Sequence, residues 1–191
     1  MAATQAVVAR YALDPVISSL QVRVFATGLL AGFGHNPTFA ARDFSGEIIV
    51  PPNGPAEASL TFKVRATSLA VPTDIKDKDR RDMERIMNEQ VLETARFPEI
   101  VFRSTAVHAD QTGSGQYQVT LDGELSVRGV TASQQVVAYC TLGEEQTKAW
   151  GEFNLLQSRF GISPVSFAGG ALKLKDELKL SFDIVARRER E

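Results

Sequence analysis

The sequence predicts an all-β fold: an antiparallel β-barrel of about eight strands, with one amphipathic helix inserted mid-chain. Three observations lead to this prediction. Apolar and polar residues alternate with a period of two over long segments, which is typical of strands with one dry and one wet face. These segments are about twice the usual five or six residues of a strand. A single charged segment departs from the alternation and has helical spacing instead.

Nine segments are predicted to be strands. The alternation is clearest at 117–127, where the odd positions are apolar or glycine and the even positions are polar. The same pattern covers 56–66 and 172–184. Six less regular segments complete the set, at 6–13, 18–26, 42–50, 99–109, 134–142 and 147–157.

Closure of the sheet follows from the length of these strands. Turn-forming residues separate several of them, at 51–55, 110–115 and 128–129. Sheets of many long, twisted strands tend to close, because closure removes exposed edges. A closed barrel of about eight strands is either filled by its own side chains or holds one small ligand, so closure alone leaves both states open.

The helix is predicted at 77–92. Asp77 or Asp79 is expected to cap its start. A lone helix among long strands is expected to act as a lid or as a plug at one end of the barrel. Its apolar side chains contact either a ligand or the sheet, and packing against the sheet is the commoner arrangement. These side chains lie at helical spacing and are Met83, Ile86, Met87 and Val91.

The predicted inner face of the barrel favours a cavity. Large apolar side chains there are mixed with small ones, and we expect small residues to leave space. The large residues are Phe62, Phe102, Leu121, Leu125, Phe153 and Phe182. The small residues are Ala58, Ala66, Ser104, Gly123 and Gly151.

Three motifs in this chain resemble the signatures of the YceI-like proteins. They are FPEIVFRS at 97–104, GELSVRGVT at 123–131 and FGI at 160–162, in the same order and at similar spacing. Residues 11–19 and 44–46 also match the family pattern. The resemblance covers nearly the whole chain.

The resemblance implies a lipocalin-like barrel whose apolar tunnel holds a long isoprenoid chain, such as a polyprenyl or quinone-type lipid. Relatives are often secreted to the periplasm, whereas the first residues here lack a signal-peptide pattern, so we expect a cytoplasmic protein. Where the family commonly has an arginine before the Phe-Gly pair, this chain has Gln157. Gln157 shares strand parity with Phe153 and is therefore expected to face the interior.

An uncharged stretch at 24–41 is long enough to be considered as a membrane span. Glycines and Pro37 interrupt it and its first part continues a strand, so no transmembrane segment is predicted. The stretch is expected either to fold over a barrel end, which is the commoner arrangement, or to form the rim where a lipid tail enters. On the second hypothesis, the mouth of the tunnel is formed by Leu29, Leu30, Phe33 and Phe39.

The inward-facing pattern and the resemblance together predict a set of ligand-binding residues. The set includes His35, which is expected to hydrogen-bond within a turn or to contact a ligand headgroup. The full set is Leu30, Phe33, His35, Phe39, Phe44, Phe62, Phe102, Leu121, Leu125, Phe153, Gln157, Phe160 and Phe182.

Composition argues against several other functions. The 21 basic residues nearly balance the 23 acidic ones, so the chain lacks the positive charge that nucleic-acid binding requires. Neither His35 nor His108 has a second ligand at metal-binding spacing, and no metal site is predicted. The single cysteine, Cys140, is expected to be buried and inert. We therefore predict no catalytic residue, no cofactor and no enzymatic activity.

Two function classes stay open for what we expect to be a single domain spanning 1–191. The first is a carrier or sequestering protein for a long apolar lipid. The second is a non-enzymatic structural or protein-interaction module with a filled barrel, whose outer apolar residues meet a partner or a second copy in a homodimer. These outer residues are Val137, Tyr139, Trp150 and Leu156.

Overall fold

The computed structural model of the protein describes residues 8–27, 36–71, 76–167 and 172–190. Twelve strand segments in these ranges form one antiparallel sheet. They are β1 (Ala9–Leu13), β2 (Ser19–Thr27), β3 (Thr38–Ala41), β4 (Phe44–Val50), β5 (Ser59–Arg65), β6 (Leu69–Ala70), β7 (Glu99–Gly113), β8 (Gln116–Val127), β9 (Val130–Leu142), β10 (Gln146–Leu156), β11 (Ser166–Phe167) and β12 (Leu172–Arg188).

The sheet closes because β12 is hydrogen-bonded along both edges. One edge pairs with β10, and the other pairs with β2 and then with β1. Around the barrel, the eight strands follow one another in the order β1, β4, β5, β7, β8, β9, β10 and β12, and β12 pairs with β1 to close the circle. This arrangement confirms the predicted antiparallel barrel of eight strands.

The first three strands of the barrel are each broken into two segments, and the nine strand candidates exceed eight because both segments of the first strand, β1 and β2, are predicted separately. β1 and β2 lie end to end along β12. In the second strand of the barrel, β4 pairs with β1 and β3 pairs with β2. β5 and β6 complete the third strand. At the first break, Ser18 Oγ accepts a hydrogen bond from Val185 N at 2.9 Å. A side chain on the broken strand therefore replaces a missing backbone partner.

The seam between β9 and β10 is only partly hydrogen-bonded. The two strands pair between 139–142 and 147–150, and their remaining residues do not pair with each other. Beyond the paired part, Arg159 reaches across and its Nη2 donates to Ser133 O at 2.5 Å. The Arg159 side chain therefore links the segment after β10 to β9 where the backbone hydrogen bonds between the two strands end.

The helix α1 (Asp77–Ile86) continues as one π-helical turn (Met87–Val91), which confirms the predicted helix between the third and fourth strands of the barrel. The expected cap was wrong. Lys76 occupies the N-cap position, and its side chain makes no capping hydrogen bond. Asp77 and Asp79 lie in the first turn instead, where the helix dipole favours negative charge. No helix within the described ranges is long and apolar enough to cross a membrane.

Two inward-facing glycines do not leave the space expected of them. A Cβ atom at Gly123 would lie 2.4 Å from Phe102 Cζ and 2.5 Å from Arg103 O. A Cβ at Gly151 would lie 2.5 Å from Val137 O and 2.9 Å from a ring carbon of Phe182. At both glycines a phenyl ring from the neighbouring strand occupies the space, so the expectation of space at these positions was wrong.

The Gly123→Ala substitution should destabilise the barrel. The added methyl meets a backbone carbonyl as well as the Phe102 ring, so a rotamer change alone cannot relieve the clash. We expect the free energy of unfolding to fall by about 1–3 kcal/mol, as measured by urea denaturation. The matched control is Glu124→Ala, at the next position on the exposed face. Equal stability of the two variants would contradict this account of the glycine.

Candidate functional site

The barrel encloses an apolar cavity of about 560 Å³. Its lining extends along β8 from Tyr117 to Val127 and along β12 from Leu174 to Ile184, so the cavity follows the barrel axis. Its volume falls within the roughly 300–1,000 Å³ that is usual for small-molecule sites. The barrel is therefore hollow rather than filled by its own side chains.

Most of the predicted ligand-binding residues meet at this cavity. Phe44 is buried but does not line the cavity. It stacks on Phe62, with ring centroids 5.7 Å apart. Leu30, Phe33 and His35, as well as Leu29 at the hypothetical mouth, lie outside the described residues. The predicted residues that line the cavity are Phe39, Phe62, Phe102, Leu121, Leu125, Phe153, Gln157, Phe160 and Phe182.

Among the small residues expected on the inner face, only Ala58 lines the cavity. Ala66 is fully buried in a 3-10 turn (Ala66–Ser68). Ser104 Oγ accepts a hydrogen bond from Leu60 N at 2.8 Å and so serves the β5–β7 pair. Large side chains make up most of the cavity wall, and other small residues, Ala138 and Ala149, line it as well.

The helix closes one end of the cavity. Met87 is buried in the core, and it also lines the cavity together with Met83, Ile86 and Val91. These helix side chains therefore pack against the barrel and can also contact a ligand in the cavity. Because methionine is flexible and polarisable, it suits a wall that must adapt to an occupied or an empty cavity.

The predicted ligand-binding set omits the inner face of β9, although Cys140 there is expected to be buried. Gln134, Val136, Ala138 and Cys140 occupy alternate positions there and all line the cavity. A period of two was available as a signal in the predicted strand 134–142. The alternation of Val136, Ala138 and Cys140 indicated this face, whereas the polar Gln134 gave no apolar signal.

A polar clamp, consisting of Glu93, Arg96 and Arg128, holds the helix end of the barrel together. Glu93 accepts hydrogen bonds from Arg128 Nε at 2.8 Å and from Arg96 Nη1 at 2.6 Å. Arg128 Nη1 also donates to Gly161 O at 3.0 Å. The hydrogen bond from Arg128, and then that from Arg96, holds the pKa of the Glu93 carboxyl below its usual value.

The three sequence motifs meet at this clamp. Arg128 belongs to 123–131 and reaches Gly161 of 160–162. Gly129, with φ of +74°, packs so closely on Phe97 of the first motif that a Cβ would lie 2.6 Å from the ring. The motifs therefore build the barrel end on which the helix rests.

Replacing Glu93 with glutamine should lower the melting temperature at pH 7. It should also make the melting temperature less sensitive to acidic pH. Because the folded pKa is lowered, ionised Glu93 stabilises the fold above its unfolded pKa near 4.5. That stabilisation is lost as the pH falls through the folded pKa. The difference in melting temperature between wild type and Glu93→Gln should therefore become smaller below about pH 4.5, as measured by thermal melts. Glu124→Gln, at an exposed site, is the control, and a gap that is constant with pH would refute this role.

Cys140 provides a chemical reporter at the far end of the cavity. It pairs with Tyr117 on β8 and with Ala149 on β10, away from the helix, and is only partly buried. Burial raises the pKa of its thiol to about 11. The thiol is therefore protonated at neutral pH and should react slowly.

Alkylation of Cys140 by a small neutral reagent should speed up by about tenfold per pH unit between pH 7 and 9, because the reacting thiolate is scarce throughout that range. The rate is measured by mass spectrometry of the intact protein. The chain unfolded in denaturant is the control, and its alkylation rate should begin to level off above about pH 8.5. A folded protein that levels off at the same pH would show that the thiol is not desolvated.

The outer face of the barrel carries an exposed aromatic pair. Tyr139 and Trp150 are 49% and 47% exposed, and their ring centroids lie 6.2 Å apart. Leu156 is also exposed, while Val137 is only partly so. Their outward direction agrees with the strand parity, and a homodimer through them stays a prediction.

Side chains that could bind a metal ion do not cluster within the described ranges. No group of three or more His, Cys, Asp or Glu side chains there could hold a metal ion. His108 is exposed, and its Nε2 lies 3.6 Å from Asp122 Oδ2.

Comparison with known proteins agrees with this architecture. A family model for the YceI-like domain matches residues 11–186. No match was found among curated protein sequences.

Three solved structures have a similar fold. BcnA from Burkholderia cenocepacia has a TM-score of 0.66 at 18% identity, over 91% of this chain and 98% of its own. A polyisoprenoid binding domain from Saccharophagus degradans, implicated in plant cell wall breakdown, has a TM-score of 0.68 at 14% identity, over 94% and 98%. A YCEI protein from Campylobacter jejuni has a TM-score of 0.56 at 17% identity, over 83% and 88%. At these identities the likeness shows the fold alone.

Proposed function

Because the chain belongs to the YceI-like family, we propose that it binds a long isoprenoid-type lipid inside its barrel and carries or sequesters it. The observation that carries this proposal is the continuous apolar cavity along the barrel axis. The structural similarity to a polyisoprenoid binding domain supports the same class of ligand.

The chemistry of the cavity wall supports a long apolar chain over a compact polar molecule. Aromatic and aliphatic side chains line it from the helix end to Cys140. Removal of apolar surface from water stabilises such a complex by about 25 cal/mol per Å², or about 0.8 kcal/mol for each buried methylene. Affinity would therefore rise with chain length until the cavity is full. The proposed role is binding, with no catalytic step, metal or cofactor.

Organic extraction of the purified protein should release a lipid that mass spectrometry identifies as isoprenoid. The variant that tests the cavity is Ala149→Phe, which places a ring inside the cavity beside Cys140. Loss of space for two methylenes should weaken binding of a long isoprenoid alcohol by about tenfold. Displacement of a fluorescent apolar probe measures that affinity.

Lys148→Phe is the control, because it adds the same ring at the neighbouring exposed position. The melting temperature of Ala149→Phe should be unchanged or higher, since the ring fills empty space, which separates lost binding from lost folding. Empty extracts, together with equal binding by both variants, would refute a lipid-binding cavity.

A further inference from the structure

We infer that the end of the lipid that lies in the cavity is uncharged and donates a hydrogen bond to Gln134. This inference rests on the proposed function and narrows it to isoprenoids with a hydroxyl or similar donor. It separates such lipids from phosphorylated isoprenoids and from lipids whose only polar atoms are acceptors.

The charge argument comes from where the cations lie. All 21 lysine and arginine residues of the chain belong to the described ranges, and none of them lines the cavity. An anionic phosphate taken into this cavity would lose its hydration without gaining a positive partner from any of these side chains. Burial of an unpaired charge is far more costly than burial of an apolar group. A phosphorylated end is therefore disfavoured inside the cavity.

The donor argument comes from one amide. Gln134 lies on the inner face of β9 opposite Gly123, and its Nε2 donates to Gln135 O at 2.8 Å. Because the nitrogen must face that carbonyl, the orientation of the amide is determined. Its Oε1 is buried and has no hydrogen-bond partner among the residues that the structure describes. A buried acceptor without a donor costs free energy, and a ligand hydroxyl would supply the donor.

Two other polar side chains in the cavity wall each use a donor within the chain, and Ser59, which also lines the cavity, is exposed. Gln157 Nε2 donates to Lys175 O at 3.0 Å, and Thr147 Oγ1 donates to Thr141 O at 3.1 Å. The phenol of Tyr117 lies six positions from Gly123 along β8, which is about 20 Å at the rise of an extended strand. Tyr117 therefore cannot serve the polar group that meets Gln134.

Three probes with one tail test this inference: geranylgeraniol, its methyl ether and its monophosphate. The ether keeps the oxygen but lacks the donor, and the monophosphate adds charge. Dissociation constants are measured by displacement of a fluorescent apolar probe from wild type, from Gln134→Met and from Gln135→Met. Gln135 is the matched control, because its side chain faces outward and donates to Asp122.

The ether-to-alcohol ratio of dissociation constants should fall by about tenfold in Gln134→Met and stay unchanged in Gln135→Met. In wild type, the monophosphate should bind at least about 100-fold more weakly than the alcohol. That comparison needs no variant, so it stands even if Gln134→Met does not fold.

A ratio that is the same in both variants would overturn the role of Gln134. A monophosphate that binds as tightly as the alcohol would overturn the claim of an uncharged end. In both cases the proposed function would stand. If none of the three molecules displaced the probe, the proposed function would fail and this inference with it.

Discussion

Hydrogen bonding along both edges of β12 is the constraint on which the rest of the structure depends. This strand is paired with β10 on one side and with β1 and β2 on the other, so the sheet has no free edge at this point and closes into a barrel. Closure turns the alternation of apolar and polar residues into an inside and an outside. The interior is then shielded from water over the length of the strands, which gives an apolar ligand a place to bind.

A closed barrel could still be filled, but this one keeps an apolar cavity of about 560 Å³. Beside that cavity, Phe102 lies over Gly123 and Phe182 lies over Gly151. Glycine is needed at these sites because any Cβ would collide with a ring and with a backbone carbonyl. The apolar space that remains has few polar groups to hold water, and such cavities favour apolar occupants.

The helix end shows how local chemistry supports this hollow core. Glu93 and Arg128 tie the segment after the helix to the turn between β8 and β9, and Arg128 also reaches Gly161. The helix itself contributes methionines to the cavity wall. The motifs that resemble the YceI-like signatures hold this barrel end and also contribute to the cavity wall, through residues such as Phe102, Leu125 and Phe160.

The sequence by itself determined the strands, the helix and most of the cavity lining, because a period of two or of three to four residues records which face of each element avoids water. It placed Phe62, Phe153 and Gln157 correctly on the inner face. Only the tertiary structure decided that the first strands are broken, that glycines are covered by rings, and that the oxygen of Gln134 is left without a donor. Those features depend on contacts between neighbouring strands, and the spacing of residues along one strand carries no information about what the next strand places against it.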